Sequence, residues 1–329
     1  MVPAIFQRQP RYVWFTALVV LATIFLLALS HSPFRPPFYF SPRTDGELQA
    51  LIAQSELVYK QLLLQRKDFI TKFGPTPDKI SMFPRMQEYT VWDFFPAAFN
   101  CPHEISRIGR LGEGGKWVCG LSRIQDKQDC VVYSFGISHE SSFEAEILSR
   151  TKGCKIYGYD FTVDGFGPEI TSGVKDRTHF EKWGVAGVDA HGKNDETKMY
   201  TLLSLMALNG HKYIDILKMD VEGAEFDALG TVFKEFIDAN EPLPFGQLQL
   251  EIHTGSKHFE WYLGWWETLE RAGLRPFWTE PNLVFLNYLE HVPPELAEYS
   301  FLNIRGENDL ISSTHRSTRN SMGWEAIRV

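Results

Sequence analysis

Two periods of apolar and polar positions divide most of the chain. Continuous apolar runs of strand length occur at 130–135 (CVVYSF), 154–159 (CKIYGY), 214–219 (IDILKM) and 247–253 (QLQLEIH), and a less regular one at 179–186. Runs of this length suit strands buried on both faces of a parallel sheet. Between them the apolar residues recur every three or four positions. Phe226, Leu229, Val232, Phe233 and Phe236 form such a stripe, and 143–150, 197–209 and 258–271 read as further helices. Residues 273–279 and 283–289, joined by Glu280-Pro281-Asn282, read as a terminal hairpin. Strands alternating with helices predict an α/β fold around a parallel sheet. Such sheets bind ligands at the carboxyl ends of their strands. The pattern delivers Asp220 and Glu222 to the end of one strand, and Glu251 and His253 to the end of the next.

The first hundred residues follow other patterns. Residues 12–30 contain no charge over 19 positions, long enough for a transmembrane helix, with Tyr12 and Trp14 suited to the membrane interface. The competing expectation is a cleaved signal peptide ending at Ala28-Leu29-Ser30, for which the apolar stretch is long. Residues 31–42 (HSPFRPPFYFSP) form a stiff proline-rich spacer. Thr44 followed by Glu47 is a capping box. Leu48, Leu51, Ile52, Ser55, Val58, Leu62 and Phe69 then continue a stem helix that stops at Gly74-Pro75. That helix either self-associates as a short coiled coil or packs on the body. The expected domains are a cytosolic tip and transmembrane signal anchor at 1–30, spacer and stem at 31–99, a catalytic domain at 100–306 and a mobile tail at 307–329.

Charge narrows the partners. The net charge is −8, and residues 1–43 hold only Arg8, Arg11, Arg35 and Arg43, so the acidity lies in the remainder. No cluster of Lys and Arg suits a nucleic-acid backbone, and no nucleic-acid partner is expected. Four cysteines, Cys101, Cys119, Cys130 and Cys154, permit two disulfides or four buried thiols. Cys130 and Cys154 open two strands expected side by side, so that pair is geometrically possible, with Cys101 and Cys119 the remaining one.

Three stretches carry a resemblance. Leu217-Lys218-Met219-Asp220-Val221-Glu222-Gly223-Ala224-Glu225 resembles the LK(I/M)DVEGAE signature of FkbM-type S-adenosylmethionine-dependent methyltransferases. The segments at 112–119 (GEGGKWVC) and 133–136 (YSFG) are similar to those of their anchored eukaryotic methyltransferase-like relatives. The resemblance spans roughly residues 100–305. It implies a Rossmann-like, seven-stranded class I methyltransferase sheet, preceded here by the transmembrane helix and helical stem. It also implies S-adenosylmethionine as cofactor. Ser134, Phe135, Gly136 and Ser138 would wrap its methionine part, although the usual D/E-x-G-x-G-x-G loop is reduced to one glycine. Glu144 would replace the missing acid, Asp160 would grip the ribose, Phe161 would pack on the adenosine, and Gly184 and Val185 would complete the site. The loop at 112–116 either closes the cofactor site beside Lys116 or is a plain hairpin turn.

Asp220, Glu251 and His253 are the expected catalytic residues. They serve either with His253 as general base for a hydroxyl acceptor or as ligands of a divalent cation, Mg²⁺ or Mn²⁺ by donor type. The implied activity is O-methylation of a glycan or secretory-pathway small molecule. The alternative is a non-catalytic relative that binds a glycan or protein through the same fold, which the altered glycine loop favours. An NAD-dependent oxidoreductase is disfavoured by the absence of Gly-x-Gly-x-x-Gly. Anchor, spacer and stem resemble the layout of Golgi-resident type II enzymes. The expected location is therefore a single-pass type II membrane protein of the Golgi or endoplasmic reticulum, with a luminal body and the membrane as a partner.

Overall fold

The computed structural model describes residues 43–255, 257–289, 292–306 and 308–312, together with Leu18, Val20, Leu21 and Thr23. The chain divides into two units, Met1–Arg43 and Thr44–Val329. In the second, a long helix, α1 (Asp45–Phe73), precedes a hairpin of β1 (Ile105–Ile108) and β2 (Lys116–Cys119) and a helical turn, α2 (Leu121–Ile124). Next come β3 (Val131–Phe135), α3 (Ser142–Arg150), β4 (Lys155–Tyr159), β5 (Thr178–Glu181), β6 (Gly184–Val185) and β7 (Met199–Tyr200). The chain continues through α4 (Leu202–Asn209), β8 (Ile214–Met219), α5 (Glu225–Asp238), β9 (Phe245–His253) and α6 (Phe259–Arg271). It closes with β10 (Leu274–Pro281), α7 (Leu283–Tyr288) and β11 (Leu296–Asn303).

Seven strands form one sheet in the order β10-β11-β9-β8-β3-β4-β5. The run from β9 to β5 is parallel, whereas β11 pairs antiparallel with both neighbours. Alternation along the strands feeds two apolar layers. On β3, Tyr133 and Phe135 join the core beneath α4, α5 and α6, while Val132 faces the opposite core with Ile147 and Ile156. On β9, Leu248, Leu250 and Ile252 enter the first layer. The other side of β9 is polar, and the β1–β2 hairpin covers it. Gln247 donates to the Cys119 carbonyl and accepts from the Cys119 N–H, both at 3.0 Å, and Gln249 donates to the Trp117 carbonyl. These amides satisfy hairpin backbone groups that would otherwise be buried unpaired. Disulfides join Cys101 to Cys119 at the end of β2 and Cys130 to Cys154 at the start of β3 and β4.

Three elements differ from the sequence reading. The run at 179–186 is split: 178–181 joins the main sheet, while 184–185 pairs with 199–200 in a separate ribbon that delays the following helix to Leu202. Residues 283–289 are not the last strand. Asn282 caps them into α7 by accepting from the Phe285 N–H, and the alternating Leu296–Asn303 segment takes the strand position. The expected transmembrane helix is likewise overturned, since among the described residues no helix is long and apolar enough to cross a membrane. The one long helix, α1, carries Glu47, Glu56, Lys60, Arg66, Lys67, Asp68 and Lys72. The expectations built on that helix fall with it: signal anchor, membrane partner, and type II placement in the Golgi or endoplasmic reticulum. Residues 12–30 themselves lie outside the described residues except for Leu18, Val20, Leu21 and Thr23.

Helix α1 forms from its capping box, in which Thr44 Oγ1 accepts from Glu47 N–H and Glu47 returns the bond. Leu48, Ile52, Ser55, Tyr59, Arg66 and Ile70 lie buried on one side of it. Arg66, 4% exposed at its side chain, donates twice to Glu270 on α6 (2.8 and 3.2 Å) and once to the Phe94 carbonyl. Tyr59 and Trp266 also donate to Glu270. Of the seam that self-association would need, Leu48, Ile52 and Ser55 are thus buried against the body, while Val58 stays exposed. Removing one partner of a buried pair strands the other charge, so Glu270→Ala should cost about 3–5 kcal/mol in urea unfolding. A loss below about 1 kcal/mol would show that α1 does not depend on this link.

Candidate active site

The sheet order reverses between β3 and β8, and a cleft of about 810 Å³ opens there at the strands' carboxyl ends. Its walls come from four loops. The loop after β3 supplies Gly136 to Glu140, and that after β4 supplies Asp160 to Thr162. Gly184 and Val185 close one side, and Asp220 to Glu222 with Ala224 the other, with Glu251 at the edge. Arg110, Glu113 and Gly114 reach in from the β1–β2 turn, so the glycine-rich segment is both a hairpin turn and a wall of the cleft.

Gly136 sits at φ +77, and a Cβ there would collide with the Asp220 carbonyl, so β3 and β8 approach this closely only with glycine at that position. The same loop is drawn toward β4 by Asp160. One carboxylate oxygen accepts from the Ile137 and Ser138 N–H groups (2.9 and 2.8 Å), the other from the Thr162 N–H and hydroxyl (2.7 and 2.6 Å). Burial opposes the charge on Asp160, yet these four bonds prevail and hold its carboxyl below the ordinary value. Beneath the loop, Lys218 donates to the Gly136 carbonyl at 2.8 Å and lies 3.6 Å from Glu144. Glu144 accepts from Ser134, and its second oxygen is buried without a hydrogen-bond partner. Of the residues expected at the cofactor, Phe135, Gly136, Ser138, Asp160, Phe161, Gly184 and Val185 line the cleft, while Ser134 and Glu144 support it from below.

The acids expected at the reacting end do converge. One ligand atom each from Asp220, Glu251 and His253 falls within 4.8 Å of the others. Their surroundings hold Glu298, which the sequence reading did not assign, and Lys116, which it set beside the cofactor and which the structure buries against these acids instead. Lys116 is bonded to Glu298 and lies 3.6 Å from Asp220 and 3.7 Å from Glu251. Its side chain is 2% exposed. Burial works against its ammonium, but Glu298, Asp220 and Glu251 outweigh that and hold the charge firmly in place. Glu251 faces Glu298 across the β9–β11 register. Burial, then the charges of Asp220 and Glu298, push the Glu251 carboxyl up from its ordinary value, while Lys116 pulls it down. Glu225, fully buried, accepts from the His253 N–H at 2.8 Å and faces His253 Nδ1 at 3.3 Å. Burial disfavours imidazolium at His253, but Glu225, Glu222 and Asp220 together raise its pKa.

The donor set fits a divalent cation. His253 Nε2 is buried without a hydrogen-bond partner, 3.4 Å from Glu222 and 3.5 Å from Glu251. A carboxylate behind a ligating imidazole is the usual way to orient it. Glu225 belongs to the 217–225 motif and could have been weighed from its spacing. Glu298 could not, because its place opposite Glu251 depends on the strand that the reading set at 283–289.

A family model described as a methyltransferase domain matches residues 64–291. The match does not single out the FkbM type or an anchored subfamily. No curated protein matches the chain. Among solved structures, the methyltransferase FkbM from Methylobacillus flagellatus is similar at 12% identity and a TM-score of 0.32, over 53% of this chain and 44% of its own. The fibrillarin pre-rRNA processing protein of Methanococcus jannaschii shows 13% identity and a TM-score of 0.31, over 67% and 86%. The StiE O-MT shows 12% and 0.30, over 61% and 75%. Likenesses at those scores carry no weight for function, which leaves the family match over residues 64–291 to bear on it.

Asp160 generates a pH prediction. A carboxyl held below its ordinary value contributes stability in full above the unfolded value of about 3.9, and loses it as pH falls through the lower folded value. Asp160→Asn should therefore cost about 1–3 kcal/mol at pH 7. Thermal unfolding should show the gap to wild type closing in acid. An equal gap at pH 3 and pH 7 would contradict the assignment.

Proposed function

Because this chain belongs to the methyltransferase-domain family, we propose that it transfers the methyl group of S-adenosylmethionine to a hydroxyl of a small molecule or glycan. The observation that carries this reading is the cleft at the β3–β8 reversal, whose far end is lined by acids. In this reading the adenosine lies against Phe161, which is 46% exposed toward that space, and beside Gly184 and Val185. The methionine end follows Gly136 to Ser138, with Lys218 and Glu144 beneath. Asp160 holds the loop in its binding shape, and its four accepted bonds make it chiefly a positioning group.

Methyl transfer needs sulfur, methyl carbon and acceptor oxygen in line. The oxygen gains the methyl, the sulfur becomes a neutral thioether, and the hydroxyl proton must leave. Asp220 is the proposed proton acceptor, since it lines the cleft while its side chain remains 27% exposed. Glu251 lines the same end of the cleft beside it. His253, held by Glu225, fixes the acids from behind. Asp220, Glu251 and His253 are the donors that would take Mg²⁺ or Mn²⁺, and an ion held there, even weakly, would supply Lewis acidity favouring the deprotonated hydroxyl.

Calorimetric titration of the full chain with S-adenosylhomocysteine should give micromolar binding. Phe161→Ala, at an exposed position that leaves the core intact, should weaken it at least about tenfold if the ring stacks on the base. Absence of binding, or unchanged affinity in Phe161→Ala, would contradict the assignment.

A further inference from the structure

One buried charge meets the acids from outside the cleft. Lys116 is the first residue of β2, and it touches carboxylates from three adjacent strands or their ends: Asp220 after β8, Glu251 on β9 and Glu298 on β11. It is not among the residues lining the cleft, and its side chain is almost wholly enclosed, so it cannot contact a methyl acceptor. Its position is built rather than incidental. The Cys101–Cys119 disulfide and the paired Gln247 bonds anchor the end of β2. Trp117, the next residue, stacks on Trp278 with ring centroids 3.9 Å apart and donates to Glu280. Lys116 is thereby delivered into the acids by a braced strand, without the freedom of a surface lysine.

An ammonium is a compact unit charge; here it donates to Glu298 and sets that charge 3.6 Å from Asp220 and 3.7 Å from Glu251, two of the acids a divalent cation would need. If Asp220 and Glu251 turned fully toward an added ion, the enclosed Lys116 would keep Glu298 as its one close acid. The added ion would also feel the repulsion of a nearby positive charge shielded from water. We infer that Lys116 is the resident counter-ion of the acid cluster: a positioning residue that holds Asp220 and Glu251 in place and keeps their affinity for divalent cations low. This rests on the methyltransferase reading only in naming the cluster as the acceptor end. The site's geometry is then set by the hairpin, and a metal is not needed to assemble it.

The test is a titration of the full chain with Mn²⁺, following the free ion by electron paramagnetic resonance. Wild type and Lys116→Arg should bind weakly, and Lys116→Met at least about tenfold more tightly. If Lys116→Met fails to fold, the double variant Lys116→Met, Glu298→Gln removes the ammonium together with the acid bonded to it. It too should bind Mn²⁺ at least about tenfold more tightly than wild type. Affinity equal to wild type in the variant that folds overturns the inference. S-adenosylhomocysteine binding on the same samples separates the two readings. Unchanged Mn²⁺ affinity with that ligand still bound sinks the counter-ion role alone.

Discussion

A lysine ammonium enclosed by protein must be matched by negative charge, and this fold meets that demand by gathering carboxylates from β8, β9 and β11 around Lys116. The consequence runs in both directions. The hairpin is fastened to the sheet at its charged end, and acids that would repel one another are held together at one end of the cleft. A polar ladder prepares the contact, because Gln247, Gln249 and Glu251 alternate on the face of β9 opposite its apolar residues. The two glutamines meet the backbone of β2 and the glutamate meets Lys116. One alternation along one strand therefore supplies both the hairpin's support and a component of the site.

The cofactor side of the cleft depends on close backbone approach instead of charge pairing. Gly136 lets the loop after β3 lie against the end of β8, and Asp160 ties that loop to β4 through two backbone N–H groups. Positive φ at Ser138 and Glu222 places two non-glycine residues that line the cleft in the left-handed region. Such backbone persists where surrounding bonds determine it, and here it flanks the space assigned to the ligand.

The central strands are legible from sequence because a parallel strand buried on both faces must be a short apolar run bounded by polar turns. That logic places 131–135, 155–159 and 214–219 and the acid after the last of them. It is weaker at the sheet edge and in ribbons. Residues 184–185 and 199–200 pair over only two positions, too short for any period to register. Leu283-Val284-Phe285-Leu286 looks like a strand by composition, yet a single Asn282 cap turns it into a helix. The hub around Lys116 is invisible for a related reason. Its partners lie about 100 to 180 positions away in the chain, and only the β9–β11 register sets Glu298 beside Glu251. An uncharged run such as 12–30 has a length but no partner to test it against, whereas the long helix the structure does describe is charged along its exposed side.

Every role assigned to the cleft rests on one placement: S-adenosylmethionine between the ends of β3, β4 and β8, with its sulfonium toward Asp220. A crystal structure of the full chain grown with S-adenosylhomocysteine would decide it. Ligand density is expected along Gly136 to Ser138, with the base against Phe161 and the sulfur facing Asp220 and Glu251. Density at another cavity, or a ligand in this cleft with its sulfur directed away from the acids, would contradict that placement.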